Sequence, residues 1–345
     1  MTIFLLLIGI SVLIFIHELG HFLCAKAFGL YVEEFGFGFP PRVFGKKVGE
    51  TVYSINLLPF GGFVKIFGER ADLNEEEKQQ PNIPRERNFS HQPIWKRFIV
   101  IVAGVVMNFF LGWALLSLLF LTGLSGPVVV SNVAPDSPAA IAGFKSGDAL
   151  ADFRSSKEFV EFVNNHRGEA TTFSVIRATT TLSVIATPDL NPVEGRGALG
   201  VAISESGFPK LGFLASIKEG LFAAAQTIWL IVSSLVSLVL GLFIGQAPRE
   251  AFVGPIGIFQ IAQASVRFGF LHLVQLVALI SLNLAVLNAV PFPALDGGRM
   301  LFLLIEKIKG SALSAKREMI ANAIGFWLLI LLMIFITVKD VIGLF

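Results

Sequence analysis

Two histidines and a glutamate lie close together near the N-terminus, in the segment His17-Glu18-Leu19-Gly20-His21. On a helix of about 3.6 residues per turn, His17 and His21 lie one above the other, so both imidazoles can bind one zinc ion. Glu18 lies beside them, where it can take a proton from attacking water and deliver it to a departing amide nitrogen. The spacing predicts zinc-dependent hydrolysis with Glu18 as the catalytic base.

The location of this motif strengthens the prediction. The motif lies inside an apolar stretch, Ile3 to Phe28. Ionisable side chains are costly within a membrane span and are functional by default. The competing interpretation is a polar cluster that only packs helices together.

Catalytic zinc usually has three protein ligands, so a further ligand is required. Cys24 lies about 10 Å along the helix axis from His17, which is too far for one zinc ion, and is expected to be a packing residue. Three acidic residues stay as candidates. Glu33 and Glu34 follow the helix closely but are equally typical of solvated interface charges, and Asp296 is the better candidate.

Asp296 lies within Asn288-Ala-Val-Pro-Phe-Pro-Ala-Leu-Asp-Gly-Gly298, at the end of a later apolar stretch. Pro291 and Pro293 interrupt the helix and free backbone carbonyls there, so backbone and water can coexist inside the protein. An aspartate in that environment is expected to bind something. Asn288 is a candidate donor to the substrate backbone or to the oxyanion at the scissile carbonyl, and a structural link between helices is an equal alternative.

The composition predicts that these residues belong to a polytopic membrane protein. Of the 345 residues, 54% are hydrophobic and 15% are charged, whereas soluble domains carry roughly 25% charged residues. The mean hydropathy is +0.73. Five apolar stretches approach or exceed the roughly 20 residues that a helix needs to cross the bilayer. They are Ile3 to Phe28, Phe98 to Leu121, Leu221 to Ile244, Leu271 to Val290 and Ile320 to Val338.

The net charge of +2 is small and the basic residues are scattered, which argues against nucleic acid as a partner. Many of the basic residues lie in 29–97, between the first two apolar stretches. The positive-inside rule therefore places that segment in the cytoplasm and the N-terminus outside.

We predict transmembrane helices at 1–28, 98–122, 271–295 and 320–339. If His17 and Asp296 meet at one zinc ion, the first and third of these helices must cross the membrane in the same direction. The second already supplies the return crossing. Residues 213–246 are therefore predicted to form an interfacial or re-entrant helix, and 296–319 a cytoplasmic loop.

A soluble domain is predicted at 124–190, outside the membrane. Short β-branched runs at Val128 to Val133, Thr171 to Arg177 and Thr181 to Thr187 replace the long apolar pattern. An amphipathic helix is predicted at Ser156 to Asn164. This order resembles the circularly permuted bacterial PDZ domain, in which an extended peptide adds a strand beside the helix. The alternative is a small β-rich domain without a ligand.

HELGH in the first helix and NxxPxPxLDGG in a later one together resemble the site-2 protease family. Nearly the whole chain is similar to the bacterial regulator-of-sigma-E protease type with a single PDZ domain. The similar segments include Pro59-Phe-Gly-Gly-Phe-Val-Lys65, the Ala103-Gly104…Asn108 stretch and Gly254-Pro-Ile256.

The resemblance implies that zinc is the cofactor, that His17, His21 and Asp296 bind it, and that Glu18 is the base. It also implies that the loop from Gly36 to Phe67 is a re-entrant β element. This element presents an edge strand to an unwound substrate helix. Gly36, Gly38, Asn288, Pro291 and Pro293 are accordingly expected to contribute to substrate binding or to the oxyanion site.

The predicted fold class is a polytopic α-helical membrane protein with four transmembrane helices, an interfacial helix, a re-entrant β-like loop and an inserted β-rich PDZ-like domain. The predicted function is intramembrane zinc proteolysis of single-pass membrane proteins, such as anti-sigma factors or remnant signal peptides. Peptide C-termini are candidate partners of the PDZ-like domain. The predicted location is the bacterial inner membrane, with that domain on the periplasmic or extracellular side. The rival functions are a non-catalytic membrane scaffold with a PDZ-like peptide-binding domain and a zinc transporter.

Overall fold

The computed structural model describes residues 2–69, 83–124, 126–153, 155–177, 180–192, 196–205, 207–244 and 254–342. The helices are α1 (Thr2–Ala27), α2 (Ile94–Thr122), α3 (Pro138–Ala142), α4 (Ser156–Asn165), α5 (Phe213–Phe243), α6 (Pro255–Phe268), α7 (Phe270–Ala289), α8 (Asp296–Lys309) and α9 (Ala315–Ile342). The strands are β1 (Val32–Val48), β2 (Thr51–Ile66), β3 (Val128–Val133), β4 (Ala149–Leu150), β5 (Thr171–Arg177), β6 (Thr180–Ala186) and β7 (Val201–Glu205).

The chain divides into two compact units. The helical unit comprises Met1–Leu116, Gly220–Gln263 and Leu273–Phe345, and the β-rich unit comprises Ser117–Glu219 and Ala264–His272. In the described ranges, five helices are long and apolar enough to cross a membrane, judged by length and composition: Phe4–Ala27, Ile94–Thr122, Phe213–Gly241, Phe270–Ala289 and Ala315–Ile342. The prediction of a polytopic membrane protein with a β-rich domain is confirmed, and the number of these helices that cross stays a prediction.

Glycines allow the helices of the helical unit to approach closely. A Cβ atom on Gly20 of α1 would overlap the backbone carbonyl of Ala103 in α2. Further along α2, a Cβ atom on Gly112 would lie 2.6 Å from the side chain of Leu282 in α7. Helix interfaces in membranes are enriched in such small residues because packing drives their association. The three helices α1, α2 and α7 are therefore held against one another around α2.

β1 and β2 form an irregular hairpin that packs on α1. Residues 34–37 of β1 lie opposite both 52–55 and 62–65, so the first half of β1 lies between two segments of β2. The ring of Phe35 stacks on that of Phe22 from α1, with 4.6 Å between the centroids. Gly61 and Gly62 lie against Ile14 and Phe15 of α1, and a Cβ atom on Gly61 would lie 2.9 Å from Ile14. The predicted β-like loop is thus a hairpin that runs along the helix carrying HExxH.

The predicted third transmembrane helix, 271–295, differs from the structure at its end. α7 ends at Ala289, and an irregular segment precedes α8, which begins at Asp296. The prolines at 291 and 293 account for this, because proline cannot donate the backbone hydrogen bond that would continue a helix. The predicted cytoplasmic loop 296–319 is helical over Asp296–Lys309.

The β-rich unit contains an antiparallel sheet in the order β6-β5-β4-β3-β7. Its core includes Val128, Val130, Leu150 and Phe173, all fully buried. Strands β3, β5 and β6 lie at the predicted β-branched runs, and α4 lies at the predicted amphipathic helix. The sheet extends beyond the predicted boundary at residue 190, because β7 pairs with β3.

Candidate metal centre

α1 presents both histidines of the HExxH motif on one face. His17 and His21 are buried, and their Nε2 atoms are 3.2 Å apart. The rings are one helical turn apart and lie nearly perpendicular, with an interplanar angle of 84°. This arrangement follows from the spacing of four residues on a regular helix.

The irregular segment after α7 brings Asp296 to the histidines. Its Oδ2 atom lies 2.9 Å from Nε2 of His17 and 3.3 Å from Nε2 of His21. The segment turns tightly. The next residue, Gly297, lies so close to Val290 that a Cβ atom on Gly297 would overlap the Val290 carbonyl. The Ala294 N–H donates to Asn322 Oδ1 of α9 at 3.0 Å, which secures the turn from the other side.

Two ion pairs hold α8, and with it Asp296, in place. Arg299 Nη1 lies 2.6 Å from Oε1 of Glu69, which follows β2. Arg97 of α2 pairs with Glu306 of α8. Because these contacts come from two other elements, the start of α8 is positioned relative to both the hairpin and α2.

The three ligand atoms fit a zinc ion. Among the described residues, His17, His21 and Asp296 are the group whose donor atoms lie within 4.8 Å of one another. Ligand atoms of a tetrahedral zinc site are about 3.3 Å apart, given bonds of about 2.0 Å. The separations of 2.9, 3.2 and 3.3 Å match that value to within a few tenths of an ångström. Two imidazoles and one carboxylate also form a donor set typical of catalytic zinc.

α2 supplies a partner for the second nitrogen of each imidazole. Nδ1 of His21 lies 2.8 Å from the Val100 carbonyl oxygen, and Nδ1 of His17 lies 3.2 Å from Nδ2 of Asn108. Between these two residues, Gly104 faces the rings, and a Cβ atom there would overlap Nε2 of His21. The absence of a side chain at Gly104 leaves the space that the two rings occupy.

Glu18 lies next to this group at the edge of the hairpin. Its Oε2 atom accepts a hydrogen bond of 3.2 Å from the backbone N–H of Val64 in β2. Glu18 lines a cavity of about 260 Å³ whose polar lining also includes His17, Asn108, Asn288 and Asp296. The carboxylate of Glu18, three side chains able to bind a metal ion and a polar cavity therefore lie together inside the apolar helical unit.

Comparison with known proteins agrees with this chemistry. Residues 5–332 match peptidase family M50. The chain belongs to that family. It is 34% identical to a Clostridium perfringens protein assigned by name to the zinc metalloproteases, over 99% of each chain. It is 30% identical to the zinc metalloprotease RasP of Shouchella clausii over 97% of each chain. Its identity to the regulator of sigma-W protease RasP of Bacillus subtilis is 28%, over 100% of this chain and 99% of the relative.

Membership of family M50 confirms the predicted resemblance to site-2 proteases, and it confirms a metalloprotease with zinc as its metal. The assignment of individual side chains to zinc, base and substrate stays a prediction for this M50 chain. The geometry nevertheless separates the candidates for the third ligand. Glu33 pairs with Lys65 and Glu34 pairs with Arg42, each at 2.5 Å, whereas Asp296 faces the histidines.

The other predicted site residues of the M50 chain fall into four places. Asn288 lines the cavity beside Glu18. Pro291 lines a separate, mainly apolar cavity of about 1110 Å³, and the Pro293 carbonyl packs against Gly325 of α9. Gly36 and Gly38 lie in β1, where a Cβ atom would overlap the Phe63 ring or the Leu58 carbonyl region, so both serve the packing of the hairpin.

Asn108 and Gly104 are site residues to which the sequence reasoning assigned no role. The stretch that contains them resembles the site-2 protease family, but that resemblance was not used to predict a role for either residue. A signal was present, because an asparagine in the middle of an apolar helix is costly unless it has a partner. The identity of that partner, His17, depends on how α2 lies against α1.

Proposed function

We propose that this chain is an intramembrane zinc endopeptidase that cleaves single-pass membrane proteins. The observation that carries the proposal is the convergence of His17, His21 and Asp296 beside Glu18, inside a unit built from long apolar helices. Each of these ionisable groups costs free energy inside a membrane span. Their arrangement matches what hydrolysis requires.

In this proposal His17, His21 and Asp296 hold the zinc ion. Bound there, zinc polarises the scissile carbonyl and makes water more acidic. Glu18 takes the proton from the attacking water and transfers it to the leaving amide nitrogen. Asn288, on the cavity wall, donates its amide N–H to the substrate backbone or to the developing oxyanion.

The edge of β2 is the proposed docking line for the substrate. A helical peptide bond is shielded by its own hydrogen bonds, so the substrate must become extended before attack. The Val64 N–H points toward Glu18, which supports pairing of an extended substrate with 61–66 next to the base. Gly36 and Gly38 contribute indirectly, by permitting the close packing of that hairpin.

Two classes of substrate fit this chemistry: membrane-bound anti-sigma factors and remnant signal peptides. The Bacillus subtilis relative is named a regulator of sigma-W protease, which supports the first class. We place the protein in the bacterial inner membrane, with the β-rich domain on the periplasmic or extracellular side.

The β-rich domain is proposed to act as a PDZ-like selector of substrates. Its strand β7 lies at one edge of the sheet. Ser156, at the start of α4, donates its backbone N–H to Glu205 of β7 at 2.6 Å, so helix and edge strand are neighbours. An extended peptide, for example a new C-terminus, could add to that edge beside the helix.

The deciding experiment uses purified full-length protein in liposomes with a single-pass model substrate. We expect cleavage within the substrate's transmembrane segment, loss of cleavage after zinc is removed by a chelator, and recovery with added zinc. A scaffold would bind the substrate without cutting it. A transporter would move zinc into the liposomes and leave the substrate uncut. Either result would reject the proposal.

A further inference from the structure

We propose that Asn108 is a positioning residue that holds His17 in the tautomer able to bind zinc. The inference rests on the zinc ligands proposed above. Asn108 lies in α2, is completely buried, and contacts Nδ1 of His17 through its amide group at 3.2 Å. It touches the ring on the nitrogen that faces away from the other two ligands.

The chemistry of imidazole defines what this partner must do. A histidine that binds metal through Nε2 carries its proton on Nδ1, and that N–H requires an acceptor. For His21 the acceptor is the Val100 carbonyl, which can only accept, so its Nε2 lone pair is always available to the metal. For His17 the only such partner among the described residues is the amide of Asn108.

An asparagine amide can serve either tautomer of a histidine, because it carries both a donor and an acceptor. With Nδ2 toward the ring, the lone pair lies on Nδ1 of His17. With Oδ1 toward the ring, the proton lies on Nδ1 and the lone pair on Nε2. The oxygen and nitrogen of an amide exchange places by a half-turn about one bond, and their assignment follows from the hydrogen bonds.

The nitrogen of His17 that faces the other two ligands selects the orientation with Oδ1 toward His17. Nε2 lies 2.9 Å from Oδ2 of Asp296 and 3.2 Å from Nε2 of His21, so the lone pair must lie on Nε2 and the proton on Nδ1. Oδ1 of Asn108 is buried and makes no hydrogen bond within the described part of the chain. The half-turn brings Oδ1 to the Nδ1–H of His17 and moves Nδ2 to the buried position that Oδ1 leaves. We therefore assign the Oδ1 orientation to the zinc-binding form.

Neighbouring contacts hold Asn108 at the required position. The hydroxyl of Ser281 in α7 donates to the backbone carbonyl of Asn108 at 2.8 Å. One turn earlier, Gly104 leaves room for both imidazoles. The backbone of Asn108 is thus tied to α7 while its side chain reaches α1, and only the amide is left to turn.

The test measures zinc affinity of the purified full-length protein by competition with a chelator. Asn108→Leu keeps the size of the side chain and removes the acceptor, so we expect affinity to fall by about 10–100-fold. Asn108→Asp can only accept, so it should retain the affinity to within a few-fold. Asn283→Leu makes the same change at an exposed position of α7 and serves as the control.

Three results would overturn the proposal: wild-type affinity in Asn108→Leu, equal losses in Asn108→Asp and Asn108→Leu, or a similar loss in Asn283→Leu. If Asn108→Leu does not fold, judged by its melting temperature beside that of the control, Asn108→Asp decides alone. His17→Ala distinguishes failure of the proposed zinc-ligand set from failure of the proposed role of Asn108. Wild-type affinity in that variant would reject the ligand set itself, whereas a loss there with no loss in Asn108→Leu rejects only the role of Asn108.

Discussion

At the scale of the residue, each polar group of the site has a distinct partner and therefore a distinct expected effect. His17 and His21 present Nε2 to the same point as Oδ2 of Asp296. Glu18 lies alongside and instead accepts a hydrogen bond from Val64. Removing a metal ligand and removing the base should therefore change different measurements.

Glu18→Gln is expected to lower the cleavage rate by about 10²–10⁴-fold without loss of zinc, because an amide cannot accept the proton but the three ligands are untouched. Asp296→Ala is expected to lower both the rate and the zinc content, because it removes a ligand. Zinc content and cleavage of one model substrate are measured on both proteins. Near wild-type turnover in Glu18→Gln would reject the base, and full zinc occupancy in Asp296→Ala would reject the third ligand.

At the scale of the element, the close approach of α1 and α2 determines whether the site can form. The two helices meet at Gly20 and Ala103, and Gly104 faces the imidazoles. Gly104 and Gly112 both lie in α2, but they face different neighbours. A Cβ atom on Gly112 would meet the side chain of Leu282 in α7 instead of the imidazoles.

Gly104→Ala is expected to lower zinc affinity by at least about tenfold, since the added methyl group would displace the rings of His17 and His21. Gly112→Ala should leave zinc affinity unchanged. Both changes favour the helix to the same degree, so propensity cancels in the comparison. The measurement is chelator competition on the two purified variants. Equal affinities would show that the space at Gly104 is not required.

A buried ion pair is expected to stabilise the β-rich domain. The side chain of Asp148 is fully buried, and its Oδ1 lies 2.7 Å from Nε of Arg177. Burial raises the pKa of Asp148, but the hydrogen bonds from Arg177 and from the Lys145 N–H lower it more, so the net shift is downward. A carboxyl with a lowered pKa in the folded state stabilises the fold above its unfolded pKa of about 3.9.

That contribution should be lost as the pH falls below about 4 and through the lower pKa of the folded state. Arg177→Met is expected to lower the free energy of unfolding by about 1.5–3 kcal/mol at pH 7, and the difference from wild type should shrink toward pH 3. Hydrogen exchange of strands β3 to β6 measures this in the full chain. Arg196→Met, at the more exposed pair with Asp189, is the control, with an expected loss of about 0–1 kcal/mol. A pH-independent difference would contradict the prediction.

At the scale of the whole molecule, the proposed catalytic residues and the β-rich domain are separable. Leu124 and Phe208 form a β-bridge, with N–H to carbonyl distances of 2.9 and 2.8 Å in the two directions. The two ends of the inserted domain are therefore adjacent. We therefore expect that residues 126–206 can be replaced by a two-residue Asn-Gly turn, which suits an antiparallel pair.

This deletion should leave zinc binding intact, because His17, His21 and Asp296 lie outside it, and should relax substrate choice. The rates for a full-length substrate and for one with a short outer domain are compared before and after deletion. We expect their ratio to move toward one. An unchanged ratio in a protein that keeps its zinc would reject the role of the domain in selection.

The direction of the helices predicts the path of the chain through the membrane. His17 lies in the C-terminal half of α1 and Asp296 follows α7, so the C-terminal parts of both helices lead to the site. α1 and α7 should then cross in the same direction, with α2 as the return. α5, although apolar enough to span, is therefore predicted to lie along the interface or to enter and leave on the outer side.

Cysteine labelling tests this path. Cys24 is the only cysteine, so Cys24→Ala gives a clean background for Ser204→Cys and Ala247→Cys. Ser204 lies in β7, and Ala247 lies outside the described residues. An impermeant thiol reagent should label both from outside. Labelling of Ala247→Cys from the cytoplasm alone would contradict both the four-helix topology and the role of Asp296.

The sequence by itself determined the features that depend on neighbours along the chain. The HExxH spacing placed two histidines on one helix face, and the length of the apolar stretches identified the long helices. In the β-rich domain, the predicted helix from Ser156 and the predicted strand at Thr171 to Arg177 agree with α4 and β5, because local periodicity is sufficient for such elements.

The tertiary structure alone decided which distant residues meet. Asp296 could be ranked above Glu33 and Glu34 from the sequence, but its approach to the histidines depends on the turn after α7 and on the ion pairs of α8. The contact between Asn108 and His17 and the place of β7 in the sheet were likewise beyond sequence reasoning. Periodicity shows which face of an element is apolar, whereas the partner of that face is selected by shape and close packing between segments far apart in the chain.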